Sequence, residues 1–305
     1  METISVILAI LLSSLLTLIV IRFYLTRTRH FFHLSATTFK EGADPIRQYQ
    51  NYIYDLSKEN ALSHGQLETI SKGAEPLVLL KEDEALIIVT DPVGQIKTGS
   101  ISCNLAKKAI AKLYQNSLAD TSPANFLKKA CFLAHRQISE QLNANSGGCS
   151  IALIYIHRNR LYWASSGNIA IYSCYRELTQ LNPLDLYKYQ LKERVLQRKW
   201  KEDLLLHNRL KDELTAYLGH ENLKKVNLGD GSYHPKPHDQ LLIATKGVYE
   251  TLSPLELEAI LTGAGTTEKK IMELETAFSQ KRLTKEYVKT VPVALLVSQF
   301  RKYKE

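Results

Sequence analysis

Apolar and polar positions divide this chain into one long hydrophobic run and a series of short ones. From Ile4 to Ile21 the chain is uncharged and dominated by Ile, Leu and Val, and Phe23, Tyr24 and Leu25 carry the run past Arg22. As a helix, such a run is just long enough to cross the hydrocarbon core of a bilayer. Arg22-Phe23-Tyr24 follows it directly, in place of the small-residue cleavage site of a signal peptide, so it reads as a retained anchor. No second run of spanning length follows Leu25.

The remaining runs are short and predict a folded domain. Residues 26–75 are polar and weakly patterned, with some strand character at 48–54. Residues 77–80 and 85–90 are apolar and are separated by Lys81-Glu82-Asp83-Glu84, which predicts a hairpin. Ile101, Leu105, Ala109, Ile110 and Leu113 recur at helical spacing within 98–115. A second helix is predicted over 123–142, with Ser122 at the N-cap and Pro123 in the first position. Residues 149–157, 160–165 and 169–175 are strand-like runs with short links, which predicts an antiparallel meander. Residues 184–218 read as mostly helical and highly charged, with a break before His207. A buried strand at 241–245 ends in a tight turn at Lys246-Gly247, and turns at strand tips commonly carry function. Helices at 254–261 and 268–281 and a strand at 291–297 complete the chain. Strand and helix runs are segregated rather than alternating, so the predicted class is α+β with antiparallel sheets.

Charge adds a direction to this picture. Arg22, Arg27 and Arg29 follow the long run while only Glu2 precedes it, and the positive-inside rule then places the soluble part in the cytoplasm. The expectation is a single-pass protein of the inner or plasma membrane. The formal net charge is +8, yet no Arg-rich block or aromatic-interleaved basic stripe points to nucleic acid. Four cysteines, Cys103, Cys131, Cys149 and Cys174, form no CxxC pair and read as small buried hydrophobes in a reducing compartment. With 305 residues, 45% of them hydrophobic, the chain can build one large core or two small ones.

Candidate chemistry is sparse. His234, His238 and Asp239 offer either a metal clip or, with Pro235 and Pro237 among them, a rigid turn. Gly229-Asp230-Gly231 reads as a turn, because no helix follows it to cradle a phosphate. No G-x-S-x-G or Ser/His/Asp signature occurs. The alternating charges from Glu193 to Lys201 read as a solvated helix face or a partner surface.

Several segments, in order, resemble the PP2C (PPM) family of metal-dependent Ser/Thr protein phosphatases. Ile87-Ile88-Val89-Thr90-Asp91-Pro92-Val93-Gly94-Gln95 is similar to the family's strand ending in Ala-Asp-Gly-Met-Gly-Gly, and a helix with Gly99-Ser100 follows. Gly147-Gly148-Cys149-Ser150-Ile151-Ala152 resembles its Gly-Thr-Thr-Ala strand. Leu161-Tyr162-Trp163-Ala164-Ser165-Ser166-Gly167-Asn168 resembles Leu-Tyr-Val-Ala-Asn-Val-Gly-Asp. Leu214-Thr215-Ala216-Tyr217-Leu218-Gly219 resembles Leu-Thr-Arg-Ala-Leu-Gly, and the stretch from Asp239 to Tyr249 resembles Asp-Arg-Leu-Leu-Leu-Cys-Ser-Asp-Gly-Leu-Tyr. The match covers roughly 75–300.

The resemblance implies a PP2C-like α-β-β-α sandwich of two antiparallel sheets flanked by helices, preceded here by the N-terminal transmembrane helix. The implied organisation is an anchor at 1–25, a juxtamembrane segment and unsettled domain start at 26–75, the domain at 76–300 and a basic tail at 301–305. In the family, acids at strand tips hold two metal ions that activate a water for attack on phosphate. Position by position, Asp91 keeps the bridging acid, while Pro92 replaces the following Gly. Lys246 stands for the second acid, Thr290 for the closing one, and Tyr52 and Asn51 for the acids of the amino-terminal motif, in which Arg47 would bind phosphate. Asn168 replaces the hairpin Asp. Hard divalent cations need several oxygen ligands, ideally anionic. No catalytic residue and no cofactor are therefore expected, with Mn²⁺ or Mg²⁺, held by Asp91, only if the chain is active. The Lys246 ammonium is expected within about 4 Å of Asp91, an ordinary ion-pair distance. The implied role is an inactive, membrane-anchored binding or regulatory module for a phosphoprotein or kinase. A phosphatase with a remodelled site and a structural subunit of a membrane complex are the alternatives. Expected partners are the membrane, through Ile4 to Ile21, and a protein, with oligomeric state open.

Overall fold

The computed structural model describes residues 30–38, 50–55, 76–81, 84–117, 122–142, 147–157, 160–197, 207–236, 239–282 and 293–301, the strands at 30–38, 50–55 and 293–301 through their backbone pairing. Among the described residues eleven strands form two antiparallel sheets. They are β1 (His30–Thr38), β2 (Gln50–Asp55), β3 (Leu77–Lys81), β4 (Glu84–Gly94), β5 (Gly147–His157), β6 (Arg160–Ser166), β7 (Ala170–Cys174), β8 (Leu178–Gln180), β9 (Asn227–Tyr233), β10 (Gln240–Ala244) and β11 (Val293–Arg301). One sheet has the order β2-β1-β11-β10-β7-β8 and the other β3-β4-β5-β6-β9. The helices are α1 (Ile96–Gln115), α2 (Pro123–Gln141), α3 (Tyr187–Leu196), α4 (Lys246–Thr251), α5 (Pro254–Thr262) and α6 (Thr267–Arg282).

Alternation along β4 explains the layering. Successive side chains of a strand point to opposite faces. Ala85, Ile87 and Val89 join Val78, Ile154, Trp163, Ile171 and Ile243 in the core between the sheets. Leu86 and Ile88 face the other way, onto Cys103, Ile110, Leu127 and Ala134 of α1 and α2. The outer face of the six-stranded sheet, with Tyr172, Leu242 and Ala244, packs on Val248, Leu257, Leu261 and Phe278 of α4, α5 and α6. The result is four layers, helix-sheet-sheet-helix, as the resemblance implies.

The β3–β4 hairpin forms with the expected partners, Leu77 opposite Ile88 and Lys81 opposite Glu84. Ser122 occupies the N-cap of α2 but its side chain makes no capping bond; the capping box lies at α5, between Ser253 and Glu256. Among the described residues no helix is long and apolar enough to cross a membrane, and the run from Ile4 to Ile21 lies outside them.

Five expectations are corrected. The meander breaks after two strands: β5 pairs with β6, but β7 crosses to the other sheet and pairs with β10. Gly167 makes the crossing, at φ +103, where a Cβ would lie 2.2 Å from Ser150 Oγ. Only glycine tolerates that backbone readily. Asp185 locks the crossing: its Oδ2 accepts from Gly167 N–H at 2.8 Å, and its own N–H donates to Gly167 C=O at 2.8 Å. Of the charged 184–218 segment, the described residues form the helix α3, and 209–219 runs as turns with isolated bridges rather than helix. Gly229-Asp230-Gly231 lies within strand β9, which pairs with the free edge of β6. Residues 26–75 contribute β1 and β2 to the six-stranded sheet, so the fold takes in residues well before 76; at the other end β11 runs to Arg301. Lys246-Gly247 is not a tight turn but the start of α4.

Candidate functional site

Asp91 continues the inward-facing series of β4 beyond Ala85, Ile87 and Val89, at the point where the intersheet core ends. It is 3% exposed, and its Oδ1 has no hydrogen-bond partner among the described residues. Burial pushes its carboxyl up from the ordinary 3.8 to about 7, and the Lys246 charge pulls in the opposite direction without offsetting it.

A path of contacts joins Asp91 to the other sheet. Ser150 is its register partner on β5. Ser150 Oγ accepts from Asn168 N–H at 3.4 Å, and Asn168 C=O accepts from the Tyr249 hydroxyl at 2.7 Å. Tyr249 lies on α4, one turn from Lys246. Burial raises the Tyr249 phenol first of all, and the Asp91 charge is among the neighbours that raise it further. Asn168 is 7% exposed and its Oδ1 is also unpartnered among the described residues. Asp91, Ser150, Asn168, Lys246 and Tyr249 thus form one constellation at the strand ends.

Lys246 does not make the expected close contact with Asp91. Its Nζ lies 3.6 Å from Glu250 Oε1, one turn along α4, with side chains 30% and 45% exposed. The reason is local: helix formation at 246 puts residue 250 on the same face. Lys246 therefore acts on Asp91 at longer range.

The remaining sequence-derived positions divide. Pro92 sits in β4 opposite Cys149. Tyr52 lies on β2 opposite Leu34, in the row of Leu241, whereas Gln50 lies two rows nearer the Ala244 end of β10. Arg47 and Thr290 are outside the described residues. Asp239 builds a turn, accepting from the Tyr233 hydroxyl at 2.9 Å and Lys236 N–H at 2.8 Å, while His234 Nδ1 meets Ser232 C=O at 2.9 Å. His238 is outside the described residues. Sequence reasoning missed Ser150 and Tyr249 as site residues. Inward alternation along β5 was the available signal for Ser150; none marked Tyr249 before α4 was known.

A pair of divalent ions would need several anionic oxygens at these strand ends. Among the described residues no group of three or more His, Cys, Asp or Glu side chains is placed to hold a metal ion. Asp91 is the one carboxylate of the constellation apart from Glu250, which faces the Lys246 ammonium. Asp91, Asn168 and Lys246 do not fit a two-metal centre.

Solved structures share this architecture. A serine/threonine phosphatase from S. agalactiae superposes with a TM-score of 0.63 at 17% identity, over 87% of this chain and 98% of that one. The Mycobacterium tuberculosis serine/threonine phosphatase PstP/Ppp gives 0.58 at 15% identity, over 89% and 100%. PppA, a regulatory component of the type VI secretion system (T6SS) in Pseudomonas aeruginosa, gives 0.58 at 14%, over 90% and 100%. The PstP catalytic domain has also been solved with two manganese ions. No protein-family sequence pattern matches the chain, and comparison with curated proteins gives no match either. What is shared is the fold: this chain has a PP2C-like fold.

Proposed function

We propose that this protein is a PP2C-like module that binds rather than hydrolyses, held at the membrane by the run from Ile4 to Ile21. The observation that carries the reading is the exchange at the strand end after β10, where Lys246 stands in the place the resembling family gives to an acid. A cation there opposes a second one. The strand-end constellation of Asp91, Ser150, Asn168, Lys246 and Tyr249 remains, and its ammonium supports a reading as a recognition site for a phosphorylated protein segment or a kinase.

One observation favours the second reading, a phosphatase with a remodelled site. Asp91 is a buried carboxylate whose Oδ1 has no partner among the described residues, a costly arrangement of the kind found where a group is kept for function. Phosphate release from a phosphopeptide by the full chain, in Mn²⁺ or Mg²⁺, separates the two. The binding reading expects release no faster than the buffer control, together with saturable binding of the phosphopeptide over its unphosphorylated form. Metal-dependent release that disappears in Asp91→Asn would establish the enzyme instead.

A further inference from the structure

We propose that His135 is a proton-operated latch: as a neutral ring it holds the loop at Gly219 against α2, and on protonation it lets that loop go. His135 lies in α2, partly buried, and its Nδ1 accepts a hydrogen bond from Gly219 N–H at 3.1 Å. An accepting Nδ1 requires the neutral imidazole, with its proton on Nε2. Protonation sets Nδ1–H against Gly219 N–H, two donors face to face, and the bond is lost. The partners are 84 residues apart in the chain, so this bond is a tertiary contact and not part of a local turn.

The loop is held from two sides. Leu218 pairs with Cys149 of β5 in both directions, at 2.9 Å each way. The Tyr217 ring lies on Gly148, where a Cβ would come within 2.4 Å of it. Gly219 is pressed on α2 itself, where a Cβ would lie 2.8 Å from Ile138 Cγ2. His135 is the polar part of that second grip. Cys149 directly precedes Ser150, so release at Gly219 acts next to the strand-end constellation.

The loop brings three ionisable groups to the latch: Tyr217, His220 and Glu221. The His220 ring meets the Tyr217 ring at 4.9 Å, and its Nδ1 accepts from Asn222 N–H at 3.3 Å. On α2 itself Arg136 and Glu140 pair with each other at 3.3 Å. α1 and the five-stranded sheet meet α2 through an apolar row from Phe126 to Ile138, and the ionisable groups buried on these elements are Lys107, Tyr114, Tyr155, Cys103, Cys131 and Cys149. Burial first, and the His220 charge second, hold the His135 imidazole below its ordinary 6.5. The hold on the loop is therefore complete above about pH 6.5 and is lost as pH falls through the lowered value.

Hydrogen–deuterium exchange of the full chain in detergent micelles tests this, read by mass spectrometry at about pH 5 and about pH 7.5 and corrected for intrinsic exchange rates. Peptides covering 215–222 should lose protection about tenfold at the acid pH, the effect of roughly one hydrogen bond, while peptides from α1 change by less than about twofold. His135→Asn places an amide oxygen where Nδ1 stood and does not titrate, so its loop should be held equally at both pH values. His220→Asn removes the neighbouring charge and should move the release to higher pH. If His135→Asn fails to fold, the imidazole ¹⁵N shifts of the wild-type chain decide, because a neutral His135 with its proton on Nδ1 would overturn the inference. Acid loss spread evenly over the chain, or acid release that persists in His135→Asn, would overturn it too. Phosphopeptide binding enters none of these measurements, so the latch and the binding reading fail separately.

Discussion

Two buried polar clusters flank the point where the chain crosses between sheets, and they are built on opposite terms. Around Asn182 every group is used: its Oδ1 accepts from Ile171 N–H at 2.7 Å, and its Nδ2 donates to Ser165 Oγ at 3.0 Å and Ile169 C=O at 2.9 Å. Asp185 next to it accepts from Gly167 N–H and from Asn227 Nδ2 at 3.0 Å. Around Asp91 the accounts stay open, with Oδ1 of Asp91 and Oδ1 of Asn168 both lacking a partner among the described residues. Buried polar groups are as a rule satisfied, because an unmade bond costs more than a made one returns, although Oδ1 of Asp239, in the turn before β10, also lacks a partner among the described residues. The contrast separates a cluster kept for architecture from one whose residues the architecture alone does not explain.

The largest expected effect lies in the satisfied cluster. Asn182→Ala leaves Ile171 N–H and Ile169 C=O buried without partners and should cost about 4 kcal/mol, read by chemical denaturation. A loss below about 1 kcal/mol would show that the cluster is not the anchor of the crossing. Asp91→Asn should act in the opposite direction. The folded state holds the Asp91 proton up to about pH 7 against an ordinary 3.8, so it binds more protons than the unfolded state in that interval. Stability contributed by this group therefore falls as pH rises through the interval, and is flat above it. At about 1.36 kcal/mol per tenfold change in proton affinity, the full cost approaches about 4 kcal/mol. The Asn amide brings donors of its own that need partners, so a gain of about 2 kcal/mol at alkaline pH is expected, with the downward slope between about pH 4 and pH 7 reduced. An Asp91→Asn variant less stable than wild type at alkaline pH would place Asp91 in the satisfied class.

Smaller effects sharpen the same comparison. Asp185→Asn keeps one acceptor but loses the charge-assisted bond, while burial raises the Asp185 carboxyl and so offsets part of the loss. The net expected is a loss of about 1 kcal/mol, measured by denaturation. Glu250→Gln removes an exposed pair and should change stability by no more than about 0.5 kcal/mol.

The sequence showed much of the fold and part of the site. β4, β5 and β10 were legible because each is a short apolar run bounded by polar residues, and α1 and α2 because their apolar positions recur at helical spacing. The transfer of β7 to the other sheet was not legible. Its alternation would suit either sheet, and the choice rests on Gly167 and its bonds to Asp185, 18 residues away. β9 was hidden because it is an edge strand written as Asn-Leu-Gly-Asp-Gly-Ser-Tyr, a string of turn residues, in which Gly231 at φ +78 leaves room for the Tyr162 ring. At the site, Asp91 stood out as an acid at the end of an apolar run. The turn of Lys246 toward Glu250 did not, because it depends on a six-residue helix too short to leave a periodic signal.

The central claim is that the strand-end constellation around Asp91 does not take divalent metal. Titration of the full chain with Mn²⁺, followed by the electron paramagnetic resonance signal of the free ion, tests it directly. The account predicts that the free-ion signal rises in step with added Mn²⁺, as in buffer, for wild type and Asp91→Asn alike. Stoichiometric loss of that signal in the wild-type chain, restored by Asp91→Asn, would contradict it.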